Sequence, residues 1–340
     1  MNQVLSTFGA SPELLLLAEK KRPLILGRIT EHHKDRYHIM TEKGVGEGRV
    51  LGSWMIQTLD PKEYPTIGDF VLCDTKEDIW IIHELLPRKS IIERKVAGSR
   101  ADTQLIAANV DVIFICQSMN DNFNNRRLER YLSMAWSSGA TPIILLTKKD
   151  LTDHPNEYLY QASMSAIGVD VLSVSDLIDH GYDELDCMIK PGYTYVFLGS
   201  SGVGKSTIIN HLLGHEVMET NTIGYLDRGR HTTTYRSLFL TENKAIVIDT
   251  PGMREIQLDS ADFDHSFSEI TELAKSCKFS DCTHTKEPGC AVKASINDGS
   301  LDPSRLMNYQ KMKKELHHIE ERQKYLERQR EKKMRSFSSK

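Results

Sequence analysis

The fold of this chain is decided by the stretch Gly199-Ser200-Ser201-Gly202-Val203-Gly204-Lys205-Ser206-Thr207, which directly follows the apolar run Tyr193–Leu198. The apolar run predicts a buried β-strand, and the glycine-rich sequence fits the phosphate-binding loop (P-loop) that precedes a helix. Its glycines let backbone N–H groups turn inward around phosphates, Lys205 brings a positive charge to the β and γ oxygens, and Ser206 is placed to ligate Mg²⁺. All nine residues are therefore candidate nucleotide-binding residues, and Lys205 is also a catalytic candidate.

A second phosphate-sensing motif follows the predicted strand 244–248. Asp249-Thr250-Pro251-Gly252 gives D-x-x-G at the end of that strand. There Asp249 can hold Mg²⁺ through a water, and the N–H of Gly252 can meet the γ-phosphate. Alone, Asp-Thr-Pro-Gly is also a good turn, so the motif is informative because it lies downstream of a P-loop.

Between these two motifs lies Gly229-Arg230-His231-Thr232-Thr233-Thr234. A switch loop in this interval should offer a threonine to Mg²⁺ and the γ-phosphate, and Thr233 is selected among the three. Many GTPases place a glutamine after D-x-x-G to orient the attacking water, but Met253 stands there and cannot do so. His231 is the candidate to position the water. The alternative is that His231 only packs in the loop and an RNA partner supplies the group.

A base-reading motif, Thr147-Lys148-Lys149-Asp150, follows the predicted strand 141–146 and resembles N-K-x-D. The carboxylate of Asp150 can accept hydrogen bonds from guanine N1–H and N2–H₂, whereas adenine offers neither donor. The aliphatic stem of Lys148 can cover the base. Thr147 replaces the usual asparagine, so some bonds that brace the loop must differ. Ser173-Val174-Ser175 could add a base contact through its backbone.

The order of these motifs indicates a circular permutation. The base reader precedes the P-loop, and D-x-x-G follows it, whereas an ordinary GTPase begins with the P-loop. Strands predicted over 111–117, 141–146, 169–174, 193–198, 235–240 and 244–248 alternate with helices over 126–138, 176–189 and after the P-loop. Alternation of this kind predicts a mainly parallel sheet with helices on both faces. Because D-x-x-G leads into the C-terminal region, nucleotide state could move that region.

The region before the sheet predicts a small β-barrel. Short β runs separated by glycine and polar turns cover residues 24–29, 37–40, 48–51, 69–73 and 79–84. Five short strands in this interval favour an OB-fold. The first 22 residues predict a short helix and a frayed terminus. The resulting limits are an extension over 1–22, an OB-fold domain over 23–100, a GTPase domain over 101–255 and a helical zinc-binding domain with a basic tail over 256–340.

The C-terminal region contains a compact set of metal-binding side chains. Cys277, Cys282, His284 and Cys290 provide three thiolates and one imidazole within fourteen residues. This is a complete tetrahedral set without an open position, which predicts one structural zinc. The alternative is a set of free loop cysteines beside an incidental histidine. The other three cysteines lie in predicted strands or a helix and are interpreted as core residues: Cys73, Cys116 and Cys187.

The composition is that of a folded globular protein, with 39% apolar and 26% charged residues and a net charge of −4. No apolar run is long enough for a signal peptide or membrane span, so a cytoplasmic location is expected. Residues 311–340 carry a net charge of +6. A basic tail on an acidic body fits contact with RNA phosphates, although a solvated mixed-charge helix is the simpler interpretation.

The permuted motifs, the switch sequence 229–234 and the Cys-x₄-Cys-x-His-x₅-Cys spacing resemble the ribosome small-subunit-dependent GTPase A family. Three further stretches share this resemblance: residues 86–90 (Leu-Pro-Arg-Lys-Ser), 107–111 (Ala-Ala-Asn-Val-Asp) and 126–131 (Arg-Arg-Leu-Glu-Arg-Tyr). The resemblance covers roughly residues 24–309. It implies an N-terminal OB-fold, a permuted GTPase and a zinc domain, with GTP hydrolysis stimulated by the small ribosomal subunit during its late maturation. It thereby implies GTP/GDP, Mg²⁺ and one Zn²⁺ as bound groups, and the small subunit and its rRNA as partners. A monomer is expected.

Two other functions are compatible with the same motifs. The protein could be an RNA-binding assembly factor in which GTP only orders the chain, with little turnover. A P-loop kinase or ATPase is less well supported, because Asp150 suits guanine. Turnover with and without ribosomal subunits separates the first alternative, and competition between GTP and ATP separates the second.

Overall fold

The computed structural model describes residues 3–33, 36–57, 60–76, 78–95, 103–216, 237–249 and 267–314, together with residues 317 and 321. An N-terminal barrel, a central α/β sheet and a C-terminal helical unit follow one another along this part of the chain. The predicted three-part architecture is therefore confirmed. Within the same residues, no helix combines the length and apolar character needed to cross a membrane.

The barrel consists of five short strands that close in the order β1-β2-β3-β5-β4. They are β1 (Ile25–His33), β2 (Arg36–Thr41), β3 (Gly44–Val50), β4 (Phe70–Lys76) and β5 (Ile79–Leu85). A short helix, α3 (Gly52–Gln57), follows β3. Ile29, Ile39, Val71 and Ile82 pack together in the interior. Closure of five strands in this order gives the predicted OB-like barrel.

The N-terminal extension forms two helices, α1 (Gln3–Thr7) and α2 (Pro12–Lys20). Ser11 caps α2 by accepting a hydrogen bond from the backbone N–H of Leu14, and proline occupies the first helical position. Leu5 and Leu15 are buried in one cluster with Phe70 of the barrel. From residue 3 onward the prediction of a frayed terminus is wrong, because these leucines cover an apolar face of the barrel.

A separate two-stranded sheet connects the barrel to the central domain. It pairs β6 (Ile91–Lys95) with β7 (Thr103–Ala108) in antiparallel register. The sheet straddles the limit predicted at residue 100, so the two domains share this connection. The limits themselves remain predictions.

Arg28 of β1 ties the barrel to the strand that leads into the P-loop. Its guanidinium is fully buried and donates to the carbonyl of Phe8 at 2.5 Å, the hydroxyl of Thr194 at 2.8 Å and the carbonyl of Gly68 at 3.3 Å. Burial lowers the pKa of Arg28 to about 10, opposed by the negative charges of Asp111 and Asp69. The guanidinium stays protonated at neutral pH and holds extension, barrel and central sheet together.

The central sheet has six strands in the order β10-β9-β8-β11-β13-β12. They are β8 (Val112–Ser118), β9 (Thr141–Thr147), β10 (Val171–Ser173), β11 (Thr194–Leu198), β12 (Leu238–Leu240) and β13 (Ile246–Ile248). All neighbouring pairs are parallel except β12 with β13. The accompanying helices are α4 (Asn125–Ser138), α5 (Pro155–Ser165), α6 (Asp183–Met188) and α7 (Lys205–Leu213). The predicted mainly parallel sheet is confirmed.

The helix predicted over 176–189 is wrong in its first half, because only Asp183–Met188 is helical. The backbone N–H of Ser175 donates to the carbonyl of Gly181 and closes a loop instead. A Cβ at Gly181 would lie 2.0 Å from the carbonyl oxygen of Ser175, so this closure requires glycine. Cys187, which was predicted to pack in the core, is exposed on α6.

The C-terminal unit contains α8 (Ser268–Ala274), α9 (Ala291–Asn297) and a helix over residues 303–314, named α10 here. Phe267, Ile270, Val292 and Met312 form its small apolar core. A loop that carries the predicted metal ligands lies between α8 and α9.

Candidate nucleotide site and metal centre

The P-loop adopts the strand–loop–helix geometry that its sequence predicts. It lies between the last residue of β11 and Lys205, the first residue of α7. Gly199 has φ +154°, and a Cβ there would lie 2.5 Å from the carbonyl oxygen of Cys116; Gly204 has φ +100°. Both positions therefore require glycine. Val203 is buried beneath the loop, and Ser201 and Gly202 are exposed at its tip.

The Lys205 ammonium lies inside the loop. Its Nζ donates to the carbonyl oxygens of Gly199 at 2.9 Å and Ser200 at 2.7 Å. Ser206 and Thr207 follow in the first turn of α7 and are half-buried. The free N–H groups and positive dipole end of a helix start favour an anion there, and Lys205 adds a full charge.

Thr147 braces the P-loop from the neighbouring strand ends. Its hydroxyl lies 2.5 Å from the carbonyl oxygen of Val203 and 3.3 Å from that of Gln117, and its side chain is buried. Gln117 is the penultimate residue of β8, which separates β9 from β11 in the sheet. The threonine in place of the usual asparagine therefore keeps a polar contact between the base-reading segment and the P-loop.

The residues predicted to read the base lie on a tight turn after β9. Lys148 has φ +58°, and Lys149 and Asp150 begin a short 3₁₀ turn, where both are exposed. The Ser175 hydroxyl donates to Oδ1 of Asp150. This contact orients the carboxylate. The sequence predicts a contact only through the backbone of this serine, because nothing local shows that the 174–181 loop turns the hydroxyl toward Asp150.

Asp249 lies at the end of β13, next to the P-loop strand β11. It is half-buried, and its backbone N–H donates to the carbonyl of Ser237 at 3.0 Å. Asp249 thus follows the carboxyl end of β13, at the same end of the sheet as the P-loop, which follows β11. Gly252, His231 and Thr233 lie outside the described residues.

A buried thiol lies directly behind the P-loop. Cys116 is fully buried in β8, and its backbone carbonyl faces Gly199. Burial raises the pKa of the Cys116 thiol to about 12, although the positive charge of Lys205 acts in the opposite direction. Cys116 is therefore an inert packing residue at neutral pH, as predicted, and so is the buried Cys73.

The four predicted metal ligands converge in the C-terminal unit. The ligand atoms of Cys277, Cys282, His284 and Cys290 all lie within 4.8 Å of one another. The Cys277 sulfur is 3.7 Å from His284 Nδ1 and 3.9 Å from the Cys290 sulfur, and His284 Nδ1 is 3.4 Å from the latter. Tetrahedral zinc with bonds of about 2.3 Å to sulfur separates its ligands by about 3.8 Å. The donor set and its spacing fit zinc.

Helix α10 supports this cluster from outside. The Gln310 amide donates to the carbonyls of Thr283 at 3.3 Å and His284 at 3.2 Å. The Tyr309 ring lies against the His284 ring, with 6.1 Å between centroids. These contacts fix the backbone and ring of the histidine ligand, as outer-shell residues do in metal sites.

A braced P-loop after β11, the base-reading motif after β9 on the far side of β8, and Asp249 of D-x-x-G after β13 on the other side define a GTPase domain. Because the base-reading strand precedes the P-loop in sequence, the domain is circularly permuted. The family model described as RsgA GTPase matches residues 85–259, and the one described as 50S ribosome-binding GTPase matches residues 194–327. The second match starts at the P-loop strand, where a GTPase in the ordinary order begins.

Comparison with individual related proteins also indicates a circularly permuted GTPase of this family. The chain is 44% identical over 299 residues to Small ribosomal subunit biogenesis GTPase RsgA 2 of Lactiplantibacillus plantarum, covering 87% of this chain and 85% of that protein. It matches the crystal structure of YloQ, described as a circularly permuted GTPase, with a TM-score of 0.62 and 25% identity over 87% of this chain and 96% of that one. YjeQ from Thermotoga maritima shares the fold, with a TM-score of 0.64 and 24% identity over 86% of this chain and 98% of that one. The chain belongs to the RsgA GTPase family and is a GTP hydrolase.

Proposed function

We propose that this protein binds the small ribosomal subunit and hydrolyses GTP to GDP and phosphate during late maturation of that subunit. The observation that carries the proposal is the 44% identity, over most of both chains, to a protein named Small ribosomal subunit biogenesis GTPase. The OB-like barrel, the zinc-type cluster and the +6 charge of residues 311–340 would supply contacts to rRNA. The protein would act as a cytoplasmic monomer.

The nucleotide would be held by two groups of residues. The P-loop, from Gly199 to Thr207, would take the phosphates, and Thr147-Lys148-Lys149-Asp150 would take the guanine base. Ser206, Asp249 and Thr233 would hold Mg²⁺, which neutralises charge on the β- and γ-phosphates. Gly252 would contact the γ-phosphate. Cys277, Cys282, His284 and Cys290 would hold one structural zinc ion.

The Thr147 brace gives a first prediction. Replacing Thr147 with valine preserves the shape but removes the hydroxyl that contacts the Val203 carbonyl. We expect the affinity for a fluorescent GDP derivative to fall about tenfold, since an unmade buried hydrogen bond costs about 1–3 kcal/mol. Thr147→Asn should retain most of the affinity, because asparagine can make the same type of contact. Equal affinity for Thr147→Val and the parent would show that the brace is not needed.

The proposed ribosome dependence gives a second prediction. Single-turnover GTP hydrolysis should accelerate about 10²-fold or more when small subunits are added, because ordering a catalytic group is worth several kcal/mol of barrier. His231→Ala should lose the stimulated rate while it still binds GTP and the subunit. Met253→Ala should hydrolyse GTP like the parent, since methionine cannot orient a water.

Large ribosomal subunits provide the control for this experiment. Full stimulation of His231→Ala would remove that residue from the mechanism and favour a group supplied by rRNA. A parent that hydrolyses GTP rapidly without ribosomes would contradict the proposed dependence. A parent that binds small subunits in the presence of a GTP analogue but shows no stimulated turnover would instead support the assembly factor that uses GTP as an ordering ligand.

A further inference from the structure

The segment just before helix α4 contacts the P-loop. The Asn122 amide donates to the Ser200 hydroxyl at 3.2 Å. The Arg127 guanidinium donates to the backbone carbonyl of Asn122 and, at 3.0 Å, to its side-chain oxygen. The Gln117 side chain pairs with the backbone N–H and C=O of Asn124, the N-cap of α4, at 2.9 and 3.0 Å. Asn122 is thus held between the helix start and the P-loop.

A neighbouring face of the same helix is docked on the C-terminal unit. Glu129 and Arg305 form an ion pair at 2.8 Å, in which both side chains are at least 94% buried. Asn308 donates to Glu129 at 3.2 Å and accepts from Arg126 at 2.9 Å. Arg305 also pairs with Glu269 of its own unit at 2.6 Å. Arg305 therefore forms one ion pair with each of the two domains.

The charges in this interface favour a defined docked arrangement. Burial raises the pKa of Glu129, and the positive charge of Arg305 opposes that rise. A buried ion pair is strongly destabilised when one partner is withdrawn, because the other is left buried without compensation. The Glu129–Arg305 contact is therefore either fully made or fully released.

These two contact sets lie less than one helical turn apart. Arg127 and Glu129 are separated by two residues in a helix of fourteen. A shift of the first turns of α4 would displace both the Asn122 support of the P-loop and the Glu129 contact. A rigid helical turn that carries both contacts can transmit a change in one of them to the other.

We propose that Asn122 is a positioning residue of the P-loop, and that α4 makes nucleotide affinity depend on docking of the C-terminal unit through Glu129 and Arg305. In the docked arrangement the Asn122–Ser200 contact is made, so release of the unit lowers the affinity. Linkage is reciprocal, so bound nucleotide also favours the docked arrangement. The inference rests on the proposed nucleotide site. It adds a route distinct from the chain segment that joins Asp249 to the C-terminal unit.

Two glutamates around one arginine provide a matched pair of variants. Glu129→Ala removes the ion pair of Arg305 that joins the two domains, and Glu269→Ala removes its ion pair within the C-terminal unit. Titration of the full-length, zinc-loaded protein with a fluorescent GDP derivative should show about fivefold weaker binding for Glu129→Ala, at the low end of typical coupling between sites. Glu269→Ala should bind within twofold of the parent. Asn308→Ala should also weaken binding, although it leaves the sequence of α4 intact.

The decisive measurement is the double variant. Asn122→Ala alone should weaken binding about fivefold, as expected for one hydrogen bond. Asn122→Ala with Glu129→Ala should weaken it by about the same factor, because both substitutions break one route. A reduction of about 25-fold, the product of two independent effects, would overturn the proposal, as would unchanged binding in both Glu129→Ala and Asn308→Ala. A parent that fails to bind GDP would contradict the proposed function instead.

Discussion

Replacing Asp150 with asparagine is expected to lower the affinity for GTP by about 10²- to 10³-fold. The carboxylate would accept hydrogen bonds from guanine N1–H and N2–H₂, whereas the asparagine amide turns an N–H₂ donor toward one of these donors. A mismatched polar pair in a binding site costs about 3–4 kcal/mol, which corresponds to this range. The loss of affinity should be large because the Ser175 hydroxyl donates to the carboxylate and fixes its orientation. Competition titration against a fluorescent GDP derivative measures the loss.

Two comparisons make this result specific. Asp153→Asn alters an exposed carboxylate three residues further along and should bind GTP like the parent. Xanthosine triphosphate carries a carbonyl where guanine carries its amino group. Its affinity for Asp150→Asn should therefore be higher than its affinity for the parent protein. Unchanged GTP affinity in Asp150→Asn would mean that this loop does not read the base.

The local parts of the site were predictable, because each is encoded in consecutive residues. The P-loop needs glycines where the backbone has positive φ, and Gly199 and Gly204 occur there. The metal ligands lie within fourteen residues, so their spacing is visible in the sequence. The orientation of Asp150 by Ser175 was not predictable, because it depends on the 174–181 loop, which closes only with glycine at position 181.

Interactions between distant parts of the chain left no local signal. Glu129 and Arg305 are separated by 176 positions, and in sequence both fit an ordinary charged helix face. Helix α5 was missed for a related reason: Tyr160 and Met164 are exposed, and Ala162 and Ser165 are its buried residues. Tyr158 and Leu159 also pack against the core, so the apolar residues of this helix lie on its exposed face as well as on its packed face. The N-terminal segment was predicted to be frayed because it is short. The barrel that its leucines cover orders it.

Removal of zinc is expected to unfold the C-terminal unit while the GTPase domain stays folded. The unit described over residues 267–314 has a small core around Phe267, Ile270, Val292 and Met312, and such small units rarely fold without a metal or disulfide. Structural zinc sites contribute about 10–16 kcal/mol of apparent binding energy at neutral pH, far more than the stability of a unit this size.

Elemental analysis of the purified protein should therefore find about one zinc ion per chain, as one four-ligand set implies. Cys282→Ser, or treatment with a strong chelator, should abolish protection from hydrogen exchange in peptides from 267–314 but not in those from the central sheet. Because the P-loop and base reader remain intact, GDP affinity should fall only by the roughly fivefold factor expected for undocking from α4. Cys187→Ser, which removes an exposed thiol outside the cluster, should change neither zinc content nor exchange. A parent that is fully folded and free of metal would end the assignment of these four residues as a structural zinc site.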